Sequence, residues 1–388
     1  MSGRNSTPNA APVPPPKFSK GLEGIVAGQT ALSRVDGEAS TLSYRGIPIH
    51  ELTENSNFEE VTFLLWNGRL PTAAQMGEFK KALAEKRAIS NEVIQMLKTF
   101  PPSAHPMAVL RTMVSVLGLF DPEADRLDLE SNHRKALRLT AAFPTLIAAF
   151  YRLREKKPLI APDPKLSQAA DFLFMMHGKP PEKEMEKALD AYLILLADHG
   201  FNASTFAARV TTSTQSDMYS AVTSAVGTLK GDLHGSANQR AMEMILEIGT
   251  PERAEGYVRD ILAQKKKVMG FGHRVYKKED PRATAFREIA RRLCERSGEK
   301  KWMEISNRVE KVMWEEKQIP CNVDFFSASV LYILGFPVDF FTTVFAASRI
   351  VGWTAHVMEQ LADNRLIRPQ ADYVGPQEQH YLPLDKRA

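Results

Sequence analysis

The chain has 388 residues, of which 44% are hydrophobic and 25% are charged, and its net charge is +4 at pH 7. These proportions are ordinary for a soluble globular protein, and the small net charge does not favour nucleic acid as a partner. The longest apolar run, at 191–197, is far shorter than the roughly 18–20 residues that a membrane span requires. Cys294 and Cys321 form neither a disulfide framework nor a CxxC motif, which favours a reducing compartment.

Residues 1–20 are predicted to be a disordered, proline-rich tail. Pro12 and three further prolines at 14–16 interrupt a segment that has no apolar core. This segment resembles neither a secretory signal nor an arginine-rich mitochondrial presequence. We therefore expect the protein to be cytoplasmic.

The first predicted element after the tail is a β-hairpin. Asp36-Gly37 can supply the positive φ angles of a tight turn between strands at 31–35 and 40–44. Almost everything that follows is predicted to be helix, because apolar residues recur at helical spacing and Gly or Pro follows several of the ends. The predicted helices are 58–67, 107–117, 137–153, 182–197, 238–248, 304–314, 325–334 and 344–358. With one further short strand at 268–269, the sequence indicates an all-α fold with a short N-terminal hairpin.

The helix at 344–358 is apolar on almost every side and is predicted to be buried, yet it contains Arg349. A guanidinium stays charged in practice, so its burial requires an anionic partner. His356 lies one turn beyond Gly352 in the same helix and is interpreted as a core or helix-end histidine.

Three reactive side chains lie on turns marked by glycine or proline: His234, His273 and Asp324. They are too far apart in sequence to share a helix face, so only the fold can bring them together. His234 precedes a helix that Ser236 or Asn238 can cap, and the positive end of the helix dipole favours a neutral imidazole. Such an imidazole can donate a hydrogen bond to a developing oxyanion, and the alternative is an ordinary loop histidine.

His273 follows Gly270-Phe271-Gly272, where two glycines let a ligand approach the bare backbone. The motif lacks the third glycine of a dinucleotide-binding fingerprint. Four cationic residues follow, which fits either a phosphate or carboxylate site or a solvated run of charge. They are Arg274, Lys277, Lys278 and Arg282.

Two further residues allow two interpretations each. Asp324 stands among apolar neighbours, where it is either a helix N-cap or a base whose pKa is raised by desolvation. Arg368 precedes a proline, and it is either an exposed arginine at a helix end or a group that binds a carboxylate.

Five segments resemble the citrate synthase family in their order and spacing: LHGSAN, GFGHRVYKKEDPR, NVDFFSA, SRIVGW and NRLIRP. The resemblance extends from residue 21 to the C-terminus and includes the upstream segment FNASTF. It implies a two-domain helical fold, with a large domain at 21–228 and 337–388 and a small domain at 229–336 that closes over the active site. It also implies a homodimer, no metal, and no cofactor, because acetyl-CoA is a substrate.

The resemblance also implies a role for each matching residue. Asp324 removes a methyl proton from acetyl-CoA, His234 holds the thioester oxygen, and His273 donates to the carbonyl of oxaloacetate. His199, Arg282 and Arg349 bind oxaloacetate, and Arg368 binds it from the second subunit. The implied coenzyme A site consists of Met269, Gly270, Phe271, Gly272, Arg274 and Lys277.

Three alternatives remain open at the level of sequence. A 2-methylcitrate synthase shares the fold and the three reactive residues but accepts propionyl-CoA; FNASTF, SDMYSA and DKR resemble that subgroup, whereas GFGHRVYKKEDPRA favours the citrate enzymes. A metal-dependent hydrolase would use the histidines and Asp324 as ligands, although no HxH or HExxH spacing is present. A non-catalytic helical scaffold is the third.

Overall fold

The computed structural model describes residues 18–387, so the predicted tail lies almost entirely outside the described residues. Within them, sixteen α-helices, three short 3-10 helices and one small sheet account for the regular structure, which confirms the all-α class. The described chain forms two compact units, one at 30–366 and one that combines the terminal segments 18–29 and 367–387. The larger unit contains every α-helix and the sheet. The boundary predicted for a small domain at 229–336 stays a prediction.

The helices, labelled in chain order, have the following bounds. They are α1 (Ile49–Asn55), α2 (Phe58–Asn67), α3 (Ala73–Glu85), α4 (Asn91–Thr99), α5 (Pro106–Leu119), α6 (Leu129–Arg154), α7 (Gln168–His177), α8 (Lys183–Leu196), α9 (Ala203–Ser213), α10 (Met218–Leu229), α11 (Ala237–Ile248), α12 (Pro251–Ala263), α13 (Pro281–Ser297), α14 (Lys300–Lys317), α15 (Val323–Ile333) and α16 (Phe341–Ala362). The terminal unit contains only two short 3-10 helices, Lys20–Leu22 and Leu384–Lys386, within its described residues.

The predicted hairpin is present but is extended by a third strand. Strands β1 (Ser33–Asp36), β2 (Thr41–Tyr44) and β3 (Ile47–Pro48) pair antiparallel in that order. The predicted turn chemistry was wrong, since neither Asp36 nor Gly37 has a positive φ. Instead, Asp36 Oδ1 accepts hydrogen bonds from the N–H groups of Glu38 (3.1 Å) and Ala39 (2.9 Å), and Ser40 takes the positive φ of 54°.

Most of the predicted helices lie within a few residues of the observed ones, and α2 has the bounds predicted for it. This helix ends at Gly68, whose φ of 76° is the left-handed conformation that glycine adopts most easily. The main error concerns α6, which begins at Leu129 rather than 137 because Asp128 caps it by accepting from the N–H of Ser131. The strand predicted at 268–269 is absent from the described residues, and a single bridge joins Phe271 to Cys321 instead.

Helix α16 lies at the centre of the larger unit and is buried along almost its whole length. It packs against α2, α5, α6, α8, α9, α10 and α11. A second group of helices forms around α13, which packs against both α14 and α15. Most of the candidate residues of the larger unit lie on loops and helix ends, whereas Arg349 lies within α16. No helix among the described residues is both long and apolar enough to cross a membrane.

Candidate active site

Backbone pairing joins the loop that carries His273 to the helix end that carries Asp324. Gly272 N donates to Pro320 O (3.0 Å) and Asn322 N donates to Gly270 O (2.9 Å), on either side of the Phe271–Cys321 bridge. The Asn322 side chain extends this link: its Nδ2 donates to Gly272 O (2.9 Å), and its Oδ1 accepts from the N–H of Asp324 (3.0 Å). The side chain of Asn322 therefore both caps α15 and binds the loop that carries His273.

Gly270 is required in this pairing for two reasons. Its φ of 83° lies in the left-handed region, and an added Cβ would lie 2.8 Å from Cβ of Phe325. The neighbouring ring of Phe271 packs against the ring of Phe325 with centroids 4.7 Å apart. Of the predicted coenzyme A residues, the structure thus places Gly270 and Phe271 directly beside the start of α15.

Asp324 is the second residue of α15 and is not its N-cap, because Asn322 occupies that position. Burial raises the pKa of the Asp324 carboxyl to about 7; nearby Arg282 and Arg349 oppose this rise, while Asp280 adds to it. A carboxylate with this pKa is a much stronger base than an exposed aspartate and is still largely ionised just above neutral pH.

The hydrogen bonds of His273 determine which of its ring nitrogens carries the proton. Nδ1 accepts from the backbone N–H groups of Val275 (3.0 Å) and Tyr276 (3.1 Å), and a backbone N–H can only donate. Burial, followed by the charge of Arg282, lowers the pKa of His273 to about 4, so the ring is neutral at physiological pH. A neutral ring with an accepting Nδ1 carries its proton on Nε2, which is therefore a hydrogen-bond donor.

His234 has the opposite tautomer for the same kind of reason. Its Nε2 accepts from the N–H of Ser204 (3.2 Å) and lies 2.8 Å from Ser204 Oγ. Burial, with a further contribution from Arg349, lowers the pKa of His234 to about 4. The proton of the neutral ring is therefore on Nδ1. Ser204 Oγ is itself held by Trp353 Nε1, which donates to it at 3.1 Å.

The turn that carries His234 lies before α11, and Ser236 is the N-cap residue without a side-chain capping bond. Gly235 N donates to Leu229 O (3.0 Å), and a Cβ on Gly235 would lie 2.4 Å from that oxygen. The sequence therefore needs glycine immediately after His234 so that the turn can fold back on the end of α10.

The two arginines of the larger unit that are predicted to bind oxaloacetate are both buried, but they have different partners. Arg282 makes a bidentate ion pair with Asp280, from Nε to Oδ1 (2.9 Å) and from Nη2 to Oδ2 (2.8 Å). Arg349 Nε donates to Leu196 O (2.7 Å). Burial lowers the pKa of Arg349 to about 10, and the charge of Asp198 is the largest effect in the other direction. The anion expected near Arg349 is thus supplied in part by the protein, through Asp198.

His199 lies between these groups. Its Nε2 is 3.1 Å from the hydroxyl oxygen of Tyr276, and its ring is 5.4 Å from that of His273. Burial lowers the pKa of His199 well below its ordinary value, and the positive charges of Arg282 and Arg349 lower it further. The same electrostatic neighbourhood therefore includes all the predicted oxaloacetate residues of the larger unit.

The other predicted residues are placed less centrally. Lys277 is exposed and forms an ion pair with Glu38 in the turn between β1 and β2, while Arg274 is exposed. Met269 and Gly272 are partly buried, and Gly272 directly follows Phe271 of the Phe271–Cys321 bridge. Arg368 belongs to the terminal unit, so its predicted role stays a prediction.

Sequence reasoning missed several side chains that orient the site: Ser204, Tyr276, Asp280, Asn322 and Trp353. Their signal was present, because each lies inside a segment that carried the family resemblance, or directly beside one. Among the described residues, no group of three or more His, Cys, Asp or Glu side chains is arranged to hold a metal ion. The site instead combines one basic carboxylate, two neutral imidazole N–H donors and two guanidinium groups.

Comparisons with known proteins agree with this architecture. The family model described as citrate synthase, C-terminal domain, matches residues 21–370. Citrate synthase 2 of Bacillus subtilis is 48% identical over 95% of this chain and 99% of its own length. A 2-methylcitrate synthase of Mycobacterium tuberculosis is 44% identical over 95% of this chain and 93% of its own.

Solved structures give the same result. Citrate synthase from Thermotoga maritima is 40% identical and superposes with a TM-score of 0.87 over 96% of this chain and 100% of that one. Citrate synthase from Thermoplasma acidophilum, in a ternary complex with carboxymethyl coenzyme A and oxaloacetate, is 34% identical, with a TM-score of 0.91 over 96% of this chain and 100% of that one. The chain therefore belongs to the citrate synthase family and is an enzyme that transfers an acyl group.

Proposed function

We propose that the enzyme condenses acetyl-CoA with oxaloacetate and hydrolyses the resulting citryl-CoA to citrate and coenzyme A. The observation that carries this proposal is the pairing of a basic carboxylate, Asp324, with two neutral imidazoles of opposite tautomer, His234 and His273. A thioester methyl group is a very weak acid. Its proton can be removed only if the enolate oxygen is stabilised at the same moment.

Each group then has one task. Asp324 takes a proton from the methyl carbon while the Nδ1–H of His234 donates to the thioester oxygen. The enolate carbon attacks the ketone carbon of oxaloacetate, and the Nε2–H of His273 donates to the ketone oxygen as it gains charge. A carbon–carbon bond forms, the ketone becomes a tertiary alcohol, and water then cleaves the thioester C–S bond to release coenzyme A.

The magnitudes require both kinds of group. One well-placed donor to an oxyanion contributes roughly 2.7–4 kcal/mol, and a positioned base contributes about 10²–10⁴-fold in rate. Oxaloacetate carries two carboxylates, which we assign to Arg282, Arg349 and His199. The Arg282 charge is already paired with Asp280, so we expect Arg349 to contribute more of the net attraction.

The remaining assignments extend this proposal. We assign coenzyme A to Met269, Gly270, Phe271, Gly272, Arg274 and Lys277, the last two at its phosphates. We also propose a cytoplasmic homodimer in which Arg368 reaches the partner's oxaloacetate, with residues 229–336 closing over the substrates. No metal has a part in this chemistry, so full activity in excess chelator is the expected result.

A 2-methylcitrate synthase is the second candidate, favoured by the relatives of that name at 44% identity. One methylene group changes discrimination by only about 1–3 kcal/mol, so the catalytic residues cannot separate the two. The test is kcat/KM for acetyl-CoA and for propionyl-CoA at saturating oxaloacetate, with Asp324→Ala as the inactive control. We expect acetyl-CoA to be preferred by about tenfold or more. A preference for propionyl-CoA would overturn the assignment in favour of the second candidate.

A further inference from the structure

One face of α16 holds the segment that leads into His199. Arg349 Nε donates to Leu196 O (2.7 Å), and Gly352 N donates to Ala197 O (3.1 Å). These carbonyls belong to the end of α8, where helix geometry leaves the last C=O groups without intrahelical partners. Two successive residues of the segment are thus fixed to α16 just before His199.

The third residue of the segment, Asp198, meets α16 through His356. Nε2 of His356 lies 3.2 Å from Asp198 Oδ1, and both side chains are completely buried. Arg349, Gly352 and His356 are spaced by three and four residues, so they share one helix face. The close approach depends on Gly352, since a Cβ there would lie 2.4 Å from Ala197 O and 2.6 Å from Asp198 Oδ1.

The contact made by Nδ1 of His356 shows which ring nitrogen carries the proton. Nδ1 lies 3.0 Å from Nη1 of Arg209, and a guanidinium can only donate, so Nδ1 accepts. In the neutral ring the proton is therefore on Nε2 and faces the Asp198 carboxylate. The alignment of Nε2 with Oδ1 falls short of a full hydrogen bond, so their interaction is mainly electrostatic.

The other end of this chain of contacts is firmly held. Arg209 Nε donates to Gln360 Oε1 (3.0 Å), and its Nη1 donates to Glu359 Oε2 (2.7 Å). Asp198 is fixed from the other side, because its Oδ2 accepts from Ser33 Oγ (2.5 Å) and from the N–H of Gly200 (3.2 Å). His356 thus links the buried and hydrogen-bonded guanidinium of Arg209 to the carboxylate that precedes His199.

We propose that His356 is a positioning residue, which acts through Asp198 to hold His199 and Arg349 in place for the dicarboxylate substrate. This inference rests on the proposed function in its choice of oxaloacetate as that substrate. His356 lies behind the site and touches no reacting atom, so its loss affects the binding of oxaloacetate much more than the chemistry on the thioester. The acyl-CoA side depends on His234, which is held independently by Ser204.

The test compares three substitutions at one position. His356→Gln retains an acceptor for Arg209 and a donor for Asp198, His356→Asn is too short to reach both, and His356→Ala retains neither. The Kd of oxaloacetate is measured by calorimetry without acyl-CoA, and KM for each substrate and kcat are measured by steady-state kinetics. His133→Gln is the matched control, because it removes a partly buried imidazole that packs on Trp66.

We expect the Ala and Asn variants to raise both Kd and KM for oxaloacetate by about tenfold or more, with KM for acetyl-CoA changed by less than about twofold. The Gln variant should recover most of this loss, and the control should match the wild type. If the Ala variant does not fold, the comparison of Asn with Gln decides. Equal effects on both substrates, or no difference between Asn and Gln, would overturn the proposal.

The design separates this inference from the proposed function. If the wild type binds oxaloacetate but does not condense it with either acyl-CoA, the proposed function fails, and the ratio of Kd values still decides the role of His356. If the wild type does not bind oxaloacetate at all, both proposals are overturned.

Discussion

The pKa of Asp324 predicts how activity depends on pH. The perturbation is a decrease from pH 8 to pH 5, and the reporter is kcat/KM for acetyl-CoA, which reflects ionisations of the free enzyme. With a pKa of about 7, Asp324 is about 90% ionised at pH 8 and only about 1% ionised at pH 5. Since only the carboxylate can take the methyl proton, we expect kcat/KM to fall by about 100-fold over this range.

This prediction discriminates because the two histidines behave differently. Burial lowers the pKa of both His234 and His273 to about 4, so neither gains a proton in quantity until the pH is below 5. The acid limb should therefore follow a single ionisation near pH 7. Activity is followed by the loss of thioester absorbance, and circular dichroism with recovery of activity at pH 8 controls for unfolding. A profile that is flat down to pH 5 would refute the assignment, because an aspartate with an ordinary pKa remains ionised there.

Two further predictions concern other sites. The exposed ion pair of Glu38 with Lys277 competes with the binding of a phosphate by Lys277. The Glu38→Gln variant should therefore lower KM for acetyl-CoA by about two- to threefold and leave KM for oxaloacetate unchanged. A higher KM for acetyl-CoA would contradict this. Burial raises the pKa of Asp190 to about 7, and the negative charge of Glu59 adds to this rise. The folded state therefore binds this proton more tightly than the unfolded chain does, so the stability of the fold decreases as the pH rises from about 4 to 7. Asp190→Asn keeps an acceptor for Phe58 N and should raise the thermal midpoint at pH 8 but not at pH 5, and an equal shift at both pH values would argue against it.

Local sequence signals predicted the mostly helical class, the ranges of eight of the sixteen described α-helices, and the turns that carry His234 and His273. Gly68 ended α2 where expected, and glycines marked the turns of His234 and His273. The predictions from these signals were wrong where a side-chain hydrogen bond, rather than a backbone preference, determines the local structure. The hairpin turn is held by the Asp36 carboxylate rather than by positive φ at Asp36-Gly37, and α6 starts early because Asp128 caps it. Several hydrogen bonds are available to the same residues, and the local structure depends on which of these bonds forms.

The sequence predicted which residues form the site better than it predicted the chemical state of those residues. The resemblance named His234 and His273, but their tautomers depend on the N–H groups of Ser204, Val275 and Tyr276, which only the folded backbone brings to the rings. The link from Asp198 to His356 spans 158 positions, and His356 was interpreted only as a core or helix-end histidine. Long-range pairs of this kind leave no periodic pattern in a single sequence.

The hydrogen bonds also indicate how the site would divide if residues 229–336 move as a domain. His273 and Asp324 are tied together by Asn322, so they would move as one body. His234 lies within the same range but is bound to Ser204, which Trp353 of α16 holds in the larger domain. The contact between His199 and Tyr276 then crosses the boundary and would break on opening. Opening would thus move Asp324, His273 and Arg282 away from His199 and Arg349, while His234 stays bound to Ser204 beside the boundary.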